Sequence, residues 1–260
     1  MKIAVCIKEV PDTDRVRIDR KTNTLIRTGI PVIINPDDLI ALEAALRIKD
    51  RTEDVHVTTV SMGPPQVKDS LLKTYLLGAD RTVLLTDREF AGSDTFATSY
   101  TLASFLKDMR PDLILCGKQA IDGDTAQVGP GIAEHLSIPQ VTYVKSISGF
   151  TGQSVTVERD MDCFSESIEV KLPCLLTISS RDIMPRYISI KRFIKKDEHS
   201  VETVDATGIK ADAGFLGLDG SPTRVVKVFT PEQAQAGKIF EDPDQGINEV
   251  AEFLKRVKRY

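Results

Sequence analysis

The residues best placed for chemistry lie in GKQAIDGDTAQVGPG, 117–131, where four glycines separate an apolar run from a helix start. Glycine admits positive φ and close backbone approach, so amides in such a loop can converge on an anion. Thr125 stands where it can cap the following helix, whose N-terminus favours phosphate. Asp122 and Asp124 oppose a purely phosphate-facing loop and suit ribose hydroxyls or loop amides instead. An ordinary glycine-rich connection fits the same pattern, and both readings stand at this point. GSDTFATS, 92–99, sets Ser93, Thr95 and Thr98 ahead of a helix, where they can meet phosphate or a ring edge. Plain capping explains Ser93 equally well. SMGPPQ, 61–66, is a strand-to-helix turn stiffened by prolines, with Met62 placed against a ring or in the core.

Other chemistries lack support. There is no G-x-G-x-x-G and no G-x-x-x-x-G-K-[ST], hence neither a standard dinucleotide fold nor a P-loop. No Ser–His–Asp or Cys–His set stands out, and no catalytic residue is assigned. Cys6, Cys116, Cys163 and Cys174 lack C-x-x-C spacing, and His56, His135 and His199 lie far apart. Neither a zinc site nor a disulfide framework is expected. Cys6, Cys116 and Cys174 sit in apolar runs and read as small buried thiols, and His56, in VHVTTV, reads as a sheet-face residue. With 34 basic against 38 acidic residues, no tryptophan and 6% aromatics, nucleic acid is not an expected partner.

The elements that must position these loops alternate. Strands are expected at 2–8, 55–62, 82–86 and 112–117, and the first, KIAVCIK, has the continuous apolar centre of a strand covered on both faces. Asn35, Pro36, Asp37 and Asp38 form a helix start: a side-chain cap, proline in the first turn, then two acids facing the dipole. Leu39, Leu42 and Leu46 follow at helical spacing. Further helices are expected from Pro64–Pro65 to a stop at Gly78, from Ser93 to about Met109, and from about Thr125 to before Pro139. Such β-α repeats predict a parallel sheet with right-handed crossovers. Residues 140–146 add a strand, 154–160 and 167–172 read as an antiparallel hairpin, and 172–179 as a buried strand. Residues 183–246 are short, polar and punctuated by Gly and Pro, and an amphipathic helix at 247–258 gathers Val250, Phe253, Leu254 and Val257. The expected division is a core of 1–182 and a C-terminal arm of 183–260 packed against another chain.

The 260 residues, 41% hydrophobic and 28% charged, are of globular composition. No apolar run approaches the ~18 residues of a spanning helix. The start reads as a strand, not a signal peptide. A soluble cytoplasmic protein is expected.

Over essentially its whole length the chain resembles the β subunits of electron transfer flavoproteins. The segments that carry the resemblance are VCIKEVPDT (5–13), GIPVIINPDDLIALEAALRIKD (29–50), VSMGPPQ (60–66), LGADR (77–81), GKQAIDGDTAQVGPGIAEHL (117–136), KLPCLLT (171–177) and PRYISI (185–190). The resemblance implies a Rossmann-like α/β domain of the adenine-nucleotide α-hydrolase type, a heterodimer with an α subunit, and a C-terminal arm embracing that subunit. It maps a nucleotide pocket onto Cys6, Asn35, Pro36, Asp37, Asp38 and Met62. The pocket continues through Gly117, Lys118, Gln119, Ala120, Ile121, Asp122, Gly123, Asp124, Thr125, Ala126, Gln127 and Val128. Simple carriers of the family hold AMP there; bifurcating members hold a second FAD.

VPDTDRVRID, LIRTG and NPDD resemble the bifurcating group, with small or polar residues at Thr13 and Asp37 where simple carriers carry bulkier ones. The resemblance then implies NADH as donor to a β-bound FAD. Electrons go to ferredoxin or flavodoxin and, through the α-subunit FAD, to a flavin-dependent dehydrogenase, so any oxidoreductase activity belongs to the complex. PRYISIKRFIKK, 185–196, resembles the family's dehydrogenase-docking loop. Independently, 181–196 carries six basic residues against Asp182, with apolar side chains among them, which suits an anchor with a basic rim. Arg186, Tyr187, Ile190, Arg192 and Phe193 are the expected contacts, and Ile190 the anchor. The alternatives are a simple carrier holding AMP and a nucleotide-binding regulatory module with no redox role. An adenylating enzyme of the same superfamily is disfavoured, because KEVPDT stands where its S-G-G-x-D-S loop would follow the first strand.

Overall fold

The computed structural model describes residues 1–12, 17–19, 24–26, 31–161, 163–226, 237 and 239–257. Thr13, with the rest of 13–16 in VPDTDRVRID and with 27–29 in LIRTG, lies outside them. The chain forms two compact units, Met1–Val225 and Val226–Tyr260.

In chain order the first unit holds β1 (Lys2–Cys6), the short strands β2 (Glu9–Pro11), β3 (Arg17–Asp19), β4 (Thr24–Ile26) and β5 (Val32–Ile34), and α1 (Pro36–Arg51). Next come β6 (His56–Met62), α2 (Lys68–Leu77), β7 (Arg81–Leu85), α3 (Thr95–Met109), β8 (Leu113–Gly117) and α4 (Val128–Leu136). Then follow β9 (Gln140–Phe150), β10 (Ser154–Asp160), β11 (Ser165–Lys171), β12 (Cys174–Ile178), α5 (Ile190–Ile194) and β13 (Glu202–Val204). One nine-stranded sheet runs β11-β10-β9-β12-β8-β1-β6-β7-β13. From β9 to β13 in that order the neighbours are parallel, as the alternating pattern predicts. The expected hairpin, β10–β11, is antiparallel and extends this sheet through β9. β2 pairs with β5, and β3 with β4, in two small antiparallel ladders.

The central strands are buried on both faces. On one side Ile3, Val5, Val57, Leu113 and Leu115 meet Ala41, Leu42, Ala45 and Leu46 of α1. Val67 and Leu71 of the α2 region cover Leu84 there. On the other side Ala4, Cys6, Val60, Ile114 and Cys116 meet Leu102, Leu106, Ile132 and Ala133 of α3 and α4. Leu42 and Leu46, 1% exposed each, contribute about 2–3 kcal/mol apiece by burial. The result is a three-layer α/β/α core. Gly78 ends α2 at φ 137°, a left-handed stop as its sequence position predicts.

The expected core boundary at 182 falls inside the first unit. Beyond it β13 pairs with β7, and Ala206, Ile209 and Leu216 are buried against the α3–α4 face. Few, widely spaced apolar residues accomplish this, too sparse to make a periodic pattern. In the second unit α6 (Pro243–Val257) starts four residues before its expected position and leaves Ile247, Val250, Phe253, Leu254 and Val257 exposed.

Candidate functional site: the crevice between β1 and β8

From β1 the chain winds outward through β6 and β7, and α3 then carries it back to β8 on the opposite flank of β1. The strand order reverses there, so a crevice opens beyond the carboxyl ends of β1 and β8, at Cys6 and Gly117. Ligands of open α/β sheets bind at this position.

One carboxylate ties the two strand ends together. Asp38, buried in the first turn of α1, accepts the N–H of Lys8 at 2.7 Å and the N–H of Gly117 at 3.2 Å. Burial pushes its carboxyl up to about 7, against the N–H donors of Lys8 and Gly117 and the side chain of Asn35. Any side chain at 117 would run into Asp38 Oδ1 and come within 2.6 Å of the Asp37 carbonyl carbon. Glycine is required here by close approach.

Asn35 corrects an expectation: its side chain caps nothing in α1. Fully buried, it instead donates from Nδ2 to the Gln119 carbonyl at 2.8 Å and accepts the Ile121 N–H at 3.3 Å. Asp37, half-buried, is raised by burial, opposed by Lys118 and by a hydrogen bond from the Gln119 backbone. Lys8 pairs with Asp122 at 2.7 Å, and Gln119 Nε2 donates to Asp124 at 2.8 Å. Lys118 N–H bonds the Ile178 carbonyl of β12 at 3.0 Å. The loop is thus stapled from behind by the N-terminus of α1 and the end of β1.

Its far half is open. Asp122, Gly123, Asp124, Thr125 and Gln127 are exposed. Asp124 and Ala126 both have positive φ, 49° and 53°. These turns delay α4 to Val128, so Thr125 does not cap it, and no side chain does. Gln127 instead accepts the Thr95 hydroxyl at 2.9 Å, linking the starts of α3 and α4. The Asp124 N–H is taken by the Ala120 carbonyl at 2.8 Å, and the uncapped first turn of α4 beyond it is the kind of helix start that suits an anionic group such as a pyrophosphate. The α3 cap is Asp94, which accepts from Phe96 and Ala97, while the Ser93 hydroxyl donates to the Phe90 carbonyl. Thr98 is half-buried in the first turn of α3. Met62 ends β6, partly buried against the α3–α4 face. Cys6 is buried, and it hydrogen-bonds Cys116, whose thiol is raised by that bond first and burial second.

The structure therefore brings Cys6, Asn35 to Asp38 and Gly117 to Val128 around one crevice. Lys8 was missed, although its place two residues after Cys6 marked it as a rim residue; Ala126 carries no sequence signal for its strained backbone. Of the expected docking residues, Tyr187, Ile190 and Phe193 are exposed, whereas Arg186 and Arg192 turn inward.

Comparison with known proteins shows the family. The electron transfer flavoprotein domain model matches residues 22–208. The electron transfer flavoprotein subunit beta of Clostridium acetobutylicum is 47% identical, over 98% of this chain and 96% of its own. The Megasphaera elsdenii protein of the same name is 46% identical over 99% of both chains. The caffeyl-CoA reductase-Etf complex subunit CarD of Acetobacterium woodii is 45% identical, over 98% of this chain and 96% of its own. The crevice lies at the ligand-binding switch point, the likeness runs from end to end, and the chain belongs to the electron transfer flavoprotein family as a β-type, electron-transferring subunit.

Proposed function

We propose that the chain is the β subunit of an electron-bifurcating heterodimer and holds FAD in the crevice between β1 and β8. The observation that carries this reading is the division of labour in the 117–128 loop: Asn35, Asp37, Asp38 and Lys8 hold its back, while past Asp124, whose own N–H is taken by the Ala120 carbonyl at 2.8 Å, the chain enters α4 with no side chain capping the N–H groups of its first turn. That donor set fits the pyrophosphate of a dinucleotide-sized cofactor. Bound FAD would supply two-electron acceptance from NADH and one-electron release toward ferredoxin or flavodoxin and toward the α-subunit FAD. The chain's own residues bind and orient. The α4 N-terminus stabilises negative charge, and Asp122 and Asp124 stand where ribose or ribityl hydroxyls can donate to them. The Asp37 side chain is short and that of Asp38 is folded back onto the strand ends, which supports a group larger than AMP at the crevice mouth.

The second unit and the segment 183–225 are the means of joining the α subunit, and 185–196 docks a flavin-dependent dehydrogenase. A relative named for a reductase-Etf complex supports a reductase-type partner. The test is anaerobic: NADH is added to the αβ heterodimer with its dehydrogenase, the dehydrogenase's oxidised substrate and ferredoxin. Reduction of ferredoxin that stops when the dehydrogenase substrate is withheld is the expected result. NADH oxidation with no ferredoxin reduction under any combination contradicts bifurcation.

A further inference from the structure

Two arginines, Arg186 and Arg192, hold the 185–196 segment at two points. Arg186 lies along α1: its Nε donates to Glu43 Oε2 at 2.8 Å, its Nη2 to Glu43 Oε1 at 3.2 Å and to Asp50 Oδ2 at 2.7 Å. Glu43 is buried, and Arg47, one turn further on, also reaches it at 3.2 Å. Arg192 closes the C-terminus of α2: its Nη1 donates to the carbonyls of Tyr75 and Ala79, and its guanidinium lies 4.8 Å over the Tyr75 ring, beside Asp80. Asp80 is in turn held by Lys49 of α1 and the N–H of Val57. Between the arginines, the Ser189 N–H bonds the Leu76 carbonyl at 2.8 Å. Tyr187 and Ile190 project, 97% and 77% exposed.

The basic rim expected of this segment is therefore largely engaged within the chain. Lys195 pairs with Glu198, and Lys196 lies over the Phe193 ring. We propose that Arg186 and Arg192 are positioning residues that clamp the docking segment to α1 and α2, presenting Tyr187 and Ile190 as a preorganised anchor for a partner surface that is apolar rather than acidic. Preorganisation removes the ordering cost from the docking step. The helix that carries Glu43 and Asp50 also carries Asp38 at the crevice, about 8 Å along its axis from Glu43, so anchor and cofactor site share one rigid reference. The inference rests on the reading of 185–196 as a docking surface.

The experiment uses the full chain co-purified with its α subunit, with Cys163→Ser removing the exposed thiol and Ile190→Cys carrying a nitroxide. Arg186→Gln and Arg192→Gln are each expected to sharpen the spectrum of the label and to speed amide exchange at Ser189 by about tenfold. Flavin content and the melting temperature should hold, because Glu43 keeps Arg47 and Asp80 keeps Lys49. Arg186→Lys should restore part of the immobilisation. Unchanged label mobility and exchange in both glutamine variants would overturn the clamp, as would a collapse of the melting temperature with flavin loss. Failure of the docking reading is separate: Ile190→Ala then leaves electron delivery to the dehydrogenase intact, while the clamp variants still loosen the segment.

Discussion

The Asp38 carboxylate accepts the N–H of Gly117 at 3.2 Å and, through its other oxygen, the N–H of Lys8 at 2.7 Å, so one buried side chain splices the ends of β8 and β1. The floor of the crevice depends on this bridge, and the bridge depends on the absence of a side chain at 117.

Gly117→Ala should therefore damage both fold and site. The added methyl would press on Asp38 and on the Asp37 backbone, which cannot swing away as a flexible side chain would. Overpacking of this kind costs about 1–3 kcal/mol. Urea denaturation should show that loss, and the purified variant should carry less nucleotide. Wild-type stability with full occupancy would mean the bridge is dispensable.

Asp38 also makes stability depend on pH. Burial pushes its carboxyl up to about 7, whereas an unfolded aspartate titrates at about 3.9. Between those values the folded chain holds a proton that the unfolded chain has lost. This group's contribution therefore falls as pH rises through about 4 to 7 and levels off above. Asp38→Asn should flatten that part of the profile of melting temperature against pH. Identical slopes in the two proteins would assign the dependence to other groups.

Ala126 at φ 53° holds a conformation that costs an L-residue about 1 kcal/mol or more. Ala126→Gly should raise the melting temperature measurably, by relief of that strain. A lower melting temperature would show that the Ala126 methyl packs usefully.

Asp124→Ala should lower nucleotide retention, since it removes a carboxylate from the open half of the loop together with the 2.8 Å bond from Gln119. Nucleotide released on heat denaturation, assayed by chromatography, gives the occupancy. Full occupancy would remove Asp124 from the site.

Much of the fold could be read beforehand because buried parallel strands and amphipathic helices impose continuous local patterns. The runs at 2–6, 56–62 and 113–117 are examples. What escaped depends on contacts distant in sequence. Asn35 has the composition of a cap, but its side chain is claimed by backbone 84 and 86 residues away. Thr125 fails as a cap because Asp124 and Ala126 turn left-handed first. Arg186 and Arg192 read as a basic rim, yet Glu43 and the α2 carbonyls, more than a hundred residues earlier, draw both inward. The loop residues around the crevice were legible as a set because glycine spacing and strand ends mark them locally.

Ile190→Ala should weaken electron delivery to the dehydrogenase by about tenfold or more, as loss of a central apolar anchor does, with flavin content unchanged. Loss of flavin in that variant would make the segment part of the cofactor site.

The most direct measurement is the cofactor content of the co-expressed αβ heterodimer, by absorbance of released flavin and chromatography of released adenine nucleotides. Two FAD per heterodimer with no AMP is the expected result. One FAD with one AMP would contradict the account and make the chain a simple carrier subunit.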